Sequence, residues 1–176
     1  MKNNRKIYLL IGACLILILA GFGFMFGGRI FTKEENVINS GDLTMPEANA
    51  ISEEIKGDTI VEQSFRYEPD SISQIAVVFT RKYYLEGVSI VIELRDGNNV
   101  LASNSYKVEG LEDQHRTFLD IGGKLTGLAG KDLTLRIYSE SKKDTGMALM
   151  IQENKKNHFY FGKETIKGTL CFTISE

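Results

Sequence analysis

The residues best able to do catalytic chemistry are few, and they do not form a catalytic pattern. The chain has two histidines, His115 and His158, and neither has the spacing of a metal motif such as H-E-x-x-H. Ser139 and Lys142 share the S-x-x-K spacing of acyl-transfer enzymes, but that motif needs S-D-N and K-T-G partners that this sequence lacks. We therefore predict no enzymatic activity.

Two groups of aromatic and polar residues are better suited to ligand binding. Arg81, Tyr83 and Tyr84 lie in a predicted turn after a strand, and turns carry recognition when a rigid scaffold holds them. His158 and Tyr160 belong to a second aromatic cluster. Tyr rings stack on sugar faces while their hydroxyls bond to the sugar, and a guanidinium bridges neighbouring hydroxyls. These five residues are the candidate ligand-binding residues.

A purely structural role is the alternative for the same two groups. Alternation along a strand predicts that Phe159 and Phe161 point inward and plug the core. Tyr84 is a further candidate for a side chain that fills the core. For Arg81 and Tyr83 the structural and the binding interpretations stay open.

The elements that would position these residues are short β-rich runs, which follow one another after Gly57. Val88, Ile90, Ile92 and Leu94 form a strict period-two face. The predicted runs cover residues 59–66, 72–80, 88–94, 100–103, 116–121, 133–138, 147–152, 158–161 and 165–174.

Turn signals separate these runs. Asp96-Gly97 predicts a tight hairpin between two of them. The apolar residues from Ile72 to Phe79 alternate with one offset, which we interpret as a bulge. Eight or nine short strands with turns rich in Gly and Asp predict an all-β fold, an antiparallel β-sandwich.

The longest apolar run in the chain starts at Ile7 and ends at Phe26 and contains no charged residue. At a rise of about 1.5 Å per residue, a helix of this length spans about 30 Å, the thickness of the hydrocarbon core of a bilayer. A cleaved signal peptide is the alternative, but its apolar region is usually shorter and ends in a small-residue cleavage site. The pattern favours an uncleaved signal-anchor.

The flanks of this run predict its orientation. Lys2, Arg5 and Lys6 precede it, so the positive-inside rule places the N-terminus in the cytoplasm and the C-terminal domain outside the cell. We predict a cytoplasmic N-terminus (residues 1–6), a single transmembrane helix (7–28), a tether (29–56) and a β-sandwich domain (57–176). Within the tether, the segment from Pro46 to Ile55 has the pattern of a short helix.

Charge and cysteine content narrow the functional classes further. Three of the 21 Lys and Arg residues precede the apolar run and all 23 acids follow it, so the distal part is acidic, with charges interspersed. Charges interspersed in this way form no basic patch of the kind that binds nucleic acid. Cys14 lies within the predicted span and Cys171 near the C-terminus, so we expect no disulfide within the chain and a fold held by its apolar core.

Several stretches resemble the jelly-roll, galactose-binding-like modules of bacterial surface and membrane proteins. They are E-Q-S-F at residues 62–65, the strand at 72–79, G-V-S-I-V-I-E-L-R-D-G at 87–97, and L-A-G-K-D-L-T-L-R-I at 128–137. The resemblance covers about residues 57–176 and implies a sandwich of two sheets that binds carbohydrate or serves as an accessory module. Many sugar binders present Trp platforms, and this chain has no Trp.

Related jelly rolls commonly hold a structural calcium ion, which makes calcium the one cofactor that the resemblance raises. Asp58, Asp70, Asp120 and Asp132 could supply oxygen ligands, but no fixed spacing joins them. We therefore predict neither a metal site nor another cofactor.

Two functional hypotheses follow for a domain displayed outside the membrane. The first is a binding module for cell-envelope glycan. The second is a non-catalytic scaffold or accessory subunit that binds another membrane or envelope protein. A groove lined by Tyr and Arg would favour the first, and a large exposed apolar patch the second.

Overall fold

The computed structural model describes residues 37–38, 48–140 and 142–176, and these residues are almost entirely β-structure. The strands are β1 (Val37–Ile38), β2 (Ala50–Glu54), β3 (Ile60–Tyr67), β4 (Gln74–Arg81), β5 (Ser89–Asp96), β6 (Asn99–Lys107), β7 (Arg116–Leu119), β8 (Lys131–Ser139), β9 (Met147–Gln152), β10 (His158–Phe161), β11 (Glu164–Lys167), β12 (Thr169–Leu170) and β13 (Phe172–Ser175). A 3₁₀ helix, Val108–Gly110, lies between β6 and β7. The all-β prediction is confirmed for the described part of the chain.

The strands form two sheets. Sheet 1 has the order β11-β10-β3-β8-β5-β6, with β1 pairing in parallel with the end of β3. Sheet 2 has the order β12-β9-β4-β13, with β2 added on β9 and β7 added on β4. The other pairings are antiparallel. This architecture is sandwich-like and compatible with a jelly roll.

The core lies between the sheets because side chains alternate across each strand. In β8, Leu133, Leu135 and Ile137 are fully buried. They belong to the same apolar cluster as Val77 and Phe79 of β4, which face them from sheet 2. The residues between them, Thr134 and Arg136, are partly exposed, so the period-two pattern of the sequence corresponds to the two faces of the sheet.

The C-terminal segment crosses from one strand of sheet 2 to another. β12 pairs with β9 and β13 pairs with β4, and Cys171 lies at the crossing. The Cys171 N–H donates to the Met150 carbonyl at 2.9 Å, and its own carbonyl accepts from the Val78 N–H at 3.1 Å. Burial raises the pKa of the Cys171 thiol to about 11, so the thiol stays protonated at neutral pH.

One buried side chain joins the two sheets through hydrogen bonds. Gln63 of β3 is 1% exposed, and its Nε2 donates to Thr169 Oγ1 at 2.7 Å. Its Oε1 accepts from the Leu170 N–H at 2.7 Å. Because the amide is satisfied at both ends, its burial in an otherwise apolar interface is tolerated.

Three local predictions need correction. The segment before Ile55 is a strand and not a short helix, because β2 pairs with β9 and its Ser52 hydroxyl accepts from the Leu149 N–H. The offset at Ile72 is not a bulge, because Ile72 forms a separate bridge with Leu125 and β4 begins at Gln74.

The third correction concerns the hairpin between β5 and β6. The hairpin is confirmed, but Asp96 pairs with Asn99, so the two loop residues are Gly97 and Asn98. Of these two, only Gly97 has a positive φ, at 57°. A positive φ at the first loop residue alone is the pattern of a type II′ turn, which favours Gly at that position.

Among the described residues, no helix has the length and apolar character to span a membrane. The predicted transmembrane helix (residues 7–28) lies outside the described residues. The same is true of Arg5, Lys6 and Cys14.

Leu135→Ala tests whether the inter-sheet interface holds the fold. We expect the free energy of unfolding to fall by about 2–5 kcal/mol, because the substitution leaves a cavity in the centre of β8. Val100→Ala is the control, since Val100 is 48% exposed on β6, and its effect should stay within about 0.5 kcal/mol. Urea unfolding followed by fluorescence measures both, and similar losses in the two variants would contradict this account.

Candidate binding groove

An open groove of about 680 Å³ lies beside β7, where the chain returns from sheet 1 to sheet 2. Its lining includes Tyr106, Leu111, Gln114, His115, Arg116 and Phe118. Most of these side chains come from one segment, residues 110–118. The groove is therefore shaped mainly by the connection between β6 and β7.

Buried anchors fix the path of this connection. Val108 is fully buried, and its N–H donates to the Val88 carbonyl at 2.9 Å. Farther along, Gln114 adopts a φ of 59° and its N–H donates to the Phe79 carbonyl at 2.9 Å. A non-glycine residue rarely adopts this left-handed conformation, so the neighbouring contacts must hold it there.

Asp113 supplies one of these contacts. Its Oδ1 accepts from the Arg81 N–H at 2.7 Å and from the Thr80 hydroxyl at 3.1 Å. The hydrogen bond from the Arg81 backbone is the main cause that lowers the pKa of the Asp113 carboxyl below its ordinary value. The carboxylate thus remains charged and ties the connection to the end of β4.

Arg81, a predicted ligand residue, forms the next link. Its guanidinium donates to the Leu111 carbonyl and lies 5.4 Å from the centre of the Tyr84 ring. Its Nε is buried without a hydrogen-bond partner. Tyr84 is 56% exposed, so Tyr84 is not a core plug. Arg81 braces both the groove wall and an exposed aromatic ring.

Tyr83, another of the predicted ligand residues, is held by contacts within the fold. Its hydroxyl donates to Glu54 Oε1, which also accepts from the Gly146 N–H at 2.8 Å. Gly146 has a φ of 66°, and a Cβ there would lie 2.5 Å from the Tyr83 carbonyl oxygen. The tight approach explains why glycine occupies this turn.

His158 and Tyr160 lie on β10 in sheet 1, whereas Arg81 ends β4 in sheet 2. The rings of His158 and Tyr160 pack edge to face, with their centres 6.0 Å apart. Phe159, between them, is fully buried, as the alternation predicted, and Phe161 is partly buried against the core. The structure therefore separates the five candidate residues into two groups, one at the end of β4 and in the turn after it, the other on β10 of sheet 1.

The groove contains polar side chains that the fold does not use. Gln114 and Arg116 are exposed, and their side chains make no hydrogen bond or ion pair with the rest of the described chain. Glu112 and His115 face each other at 3.7 Å, and both are largely exposed. Beside them the Phe118 ring is 48% exposed.

Tyr106 is committed to the scaffold although it lines the groove. Its hydroxyl hydrogen-bonds to the Phe118 carbonyl at 2.6 Å and lies 3.1 Å from Asn104 Oδ1. Burial raises the pKa of this hydroxyl. Tyr106 therefore fixes β7 against β6, and Phe118 supplies the accessible ring.

The four aspartates considered for calcium do not form a cluster. Asp132 pairs with Arg66 at 3.4 Å and Asp58 pairs with Lys142 at 3.7 Å. Asp120 accepts from the Gly122 N–H within its own turn at 2.9 Å. Across the described residues, no three His, Cys, Asp or Glu side chains come together in a way that could hold a metal ion.

Comparison with known proteins adds no assignment. No protein-family model matches the chain, and no curated protein matches it either.

Sequence reasoning missed the groove and the role of Glu54. Residues 112–115 are polar and lie between predicted runs, and the run at 116–121 was predicted only as a strand, so nothing in the sequence indicated a groove between them. Glu54 lay in the predicted tether, and only the pairing of β2 with β9 brings it to Tyr83.

The hydrogen bond from Tyr83 to Glu54 gives a pH-dependent prediction. The bond raises the pKa of Tyr83 from 10.0 to about 12. Because the folded-state value exceeds the unfolded one, this contribution to stability is complete below pH 10 and is lost as the pH rises from 10 towards 12. In Tyr83→Phe, unfolding measured against pH should lack this loss.

Phenolate absorbance provides the direct check. Tyr106 and Tyr138 also have raised pKa values, so the informative quantity is the difference between the titrations of wild type and Tyr83→Phe. That difference should titrate near 12. A difference titrating near 10 would show that the bond to Glu54 is absent in solution.

Proposed function

We propose that this chain is a non-catalytic, membrane-anchored binding module that recognises cell-envelope carbohydrate through the groove beside β7. The observation that carries the proposal is the half-exposed Phe118 ring beside Gln114 and Arg116, whose polar groups the described fold leaves unused. An apolar ring face next to unpaired planar donors and acceptors matches the alternating apolar and hydroxyl surfaces of a sugar.

The construction of the groove supports this proposal. Its polar groups lie on a connection that Asp113 and Arg81 tie to β4, so the backbone that carries them is held before the ligand arrives. Such preorganisation reduces the entropy lost on binding. The Arg81 guanidinium, which donates to Leu111 in the groove wall, also lies 5.4 Å from the centre of the exposed Tyr84 ring.

Display outside the cell on an N-terminal anchor belongs to the same proposal. It is supported by the uncharged run from Ile7 to Phe26 and by the basic residues that precede it. The resemblance of residues 57–176 to galactose-binding-like jelly rolls and the sandwich-like fold are consistent with a carbohydrate-binding role. Fold alone does not specify a ligand, so the groove carries the argument.

Binding of the full chain, purified in detergent, to isolated cell-envelope polysaccharide and to a glycan array tests the proposal. Phe118→Ala and Arg116→Ala should each weaken binding by about tenfold, because each removes a stacking or charge-assisted contact. Phe118→Tyr keeps the ring and should retain binding. Val100→Ala, which removes an equally exposed apolar side chain on β6, is the matched control.

Two results would count against the groove. The first is that the wild-type chain retains no glycan from either source. The second is that Phe118→Ala and Arg116→Ala bind as wild type does.

A protein-docking role is the second candidate, and it is favoured by the outer face of sheet 2. Ile51 of β2 is 54% exposed and pairs in register with Met150 of β9. Phe118 points to the same outer side from β7, since its neighbours Thr117 and Leu119 point inward. This face therefore carries exposed apolar side chains at both of its edges.

A photoreactive amino acid in place of Ile51 tests the second candidate in intact cells. Docking on sheet 2 predicts one crosslinked envelope or membrane protein, because the reactive group would lie within the interface. The same replacement of Val100, exposed on sheet 1, should capture none. Crosslinking at neither position, or equally at both, would argue against docking on this face.

A further inference from the structure

β6 lies at the end of sheet 1, and among the described residues no further strand pairs with its outer edge. The strand has nine residues, and none between Asn99 and Tyr106 is charged. A strand at the edge of a sheet exposes backbone N–H and C=O groups with which another strand can pair. β6 is therefore a candidate surface for the addition of a strand from another chain.

The edge strands β2, β7 and β11 are protected against such pairing by features that β6 lacks over most of its length. Natural sheets protect their edges with short strands, charged side chains and irregular register. β11, at the far end of sheet 1, has four residues and is charged at both ends, by Glu164 and Lys167. In sheet 2, β2 carries Glu53 and Glu54 and has a shifted register with β9, and β7 has four residues and starts at Arg116. Of these four edge strands, only β6 is both long and largely uncharged.

The hydrogen bonds between β5 and β6 show which backbone groups of β6 face outward. The Val108 N–H donates to the Val88 carbonyl just beyond the end of this ladder. Hydrogen-bonded and non-hydrogen-bonded pairs alternate along an antiparallel ladder, so Ser103, Ser105 and Lys107 belong to the pairs without hydrogen bonds to β5. The N–H and C=O groups of these three residues therefore point to the outer edge. All three residues are exposed.

Two features limit the stretch of β6 that a second strand can pair with. Leu101 is left out of the register between β5 and β6, as in a β-bulge, and the 3₁₀ helix starts at Val108. Between these limits, residues 102–107 keep a continuous register with β5. The edge-facing residues of this stretch are spaced evenly about Ser105, so the stretch is symmetric about that residue.

This symmetry fits a second copy of the same chain. Antiparallel pairing of β6 with itself about a two-fold axis at Ser105 places Ser103 of each copy opposite Lys107 of the other. All three edge-facing residues then lie in hydrogen-bonded pairs. No like charges face each other, since Lys107 meets a serine.

The exposed charges next to the axis are complementary in the same arrangement. Glu140 is exposed, and its Oε2 accepts from the Ser105 hydroxyl at 2.6 Å. Lys107 of the second copy lies diagonally across from Ser105, where Cβ atoms are about 7–8 Å apart and long side chains still reach each other. Its ammonium can therefore pair with the Glu140 carboxylate, and the two-fold axis makes this contact twice.

We infer that β6 is a dimer interface, at which two copies pair edge to edge about a two-fold axis at Ser105 and join their sheets into one. The inference goes beyond carbohydrate binding and does not depend on it. A single strand pair is at the small end of specific interfaces, below about 1,200 Å² in total, so the dimer should dissociate on dilution. Val100 lies beyond the unpaired Leu101 and outside this contact.

Sedimentation of the full chain in detergent, with the mass of bound detergent subtracted, tests the dimer. We expect a monomer–dimer equilibrium that shifts with protein concentration. Ser105→Lys and Ser105→Asp should each weaken the dimer by at least about tenfold, because like charges then face each other at the axis. An equal mixture of the two variants should restore it, since lysine then faces aspartate.

Thr165→Lys is the matched control, because Thr165 is exposed on β11, the opposite edge strand of sheet 1. It should leave the dimer unchanged. A wild-type chain that stays monomeric at every concentration would overturn the inference. Dimers that persist in both Ser105 variants, or a mixture that fails to restore the dimer, would place the contact elsewhere and overturn it as well.

Amide hydrogen exchange measured by NMR tests the edge residue by residue. The N–H groups of Ser103 and Ser105 should exchange more slowly as the protein concentration rises, because they gain hydrogen-bond partners in the dimer. The N–H of Asn104, which faces β5, should show no such dependence. Exchange at Ser103 and Ser105 that is independent of concentration would overturn the inference. Protection that appears only when a different protein is added would assign the edge to that protein and exclude the dimer.

Discussion

The closure of an apolar interface between two sheets is the constraint on which the rest of this structure depends. The described residues contain no disulfide, so burial of the inward residues of β3, β4, β5 and β8 must supply most of the stability. Within that interface Gln63 makes a rare polar connection and holds the C-terminal segment at Thr169 and Leu170. The segment then crosses from β9 to β4, so that the last strand, β13, pairs with β4.

Strand ends fixed by this interface determine where side chains can meet a ligand. Arg81 ends β4, and its backbone and guanidinium reach Asp113 and Leu111 in the connection that shapes the groove. Glu54 ends β2 and holds Tyr83 and Gly146 in the adjacent turn. A small number of hydrogen bonds at the ends of strands thus fixes the connection that shapes the groove and the turn beside it.

The outer faces of the two sheets differ in chemistry. Sheet 1 carries linked ion pairs, among them Glu62 with Arg136 and Arg95 with Glu93, whereas sheet 2 exposes apolar side chains at its edges. Exposed apolar side chains suit a ring face or a protein. The proposed carbohydrate groove beside β7 and the alternative of protein docking both concern sheet 2.

The sequence by itself determined the all-β class, the positions of most strands and the inward residues, because alternation with period two is a local property of the chain. It also predicted that Phe159 is buried and that a hairpin follows β5. Only the tertiary structure decided that β2 is a strand, that Arg81 braces Leu111, and that β6 lies at the edge of sheet 1. These features depend on contacts between residues distant in the chain, and no local pattern encodes which distant partner a side chain will meet.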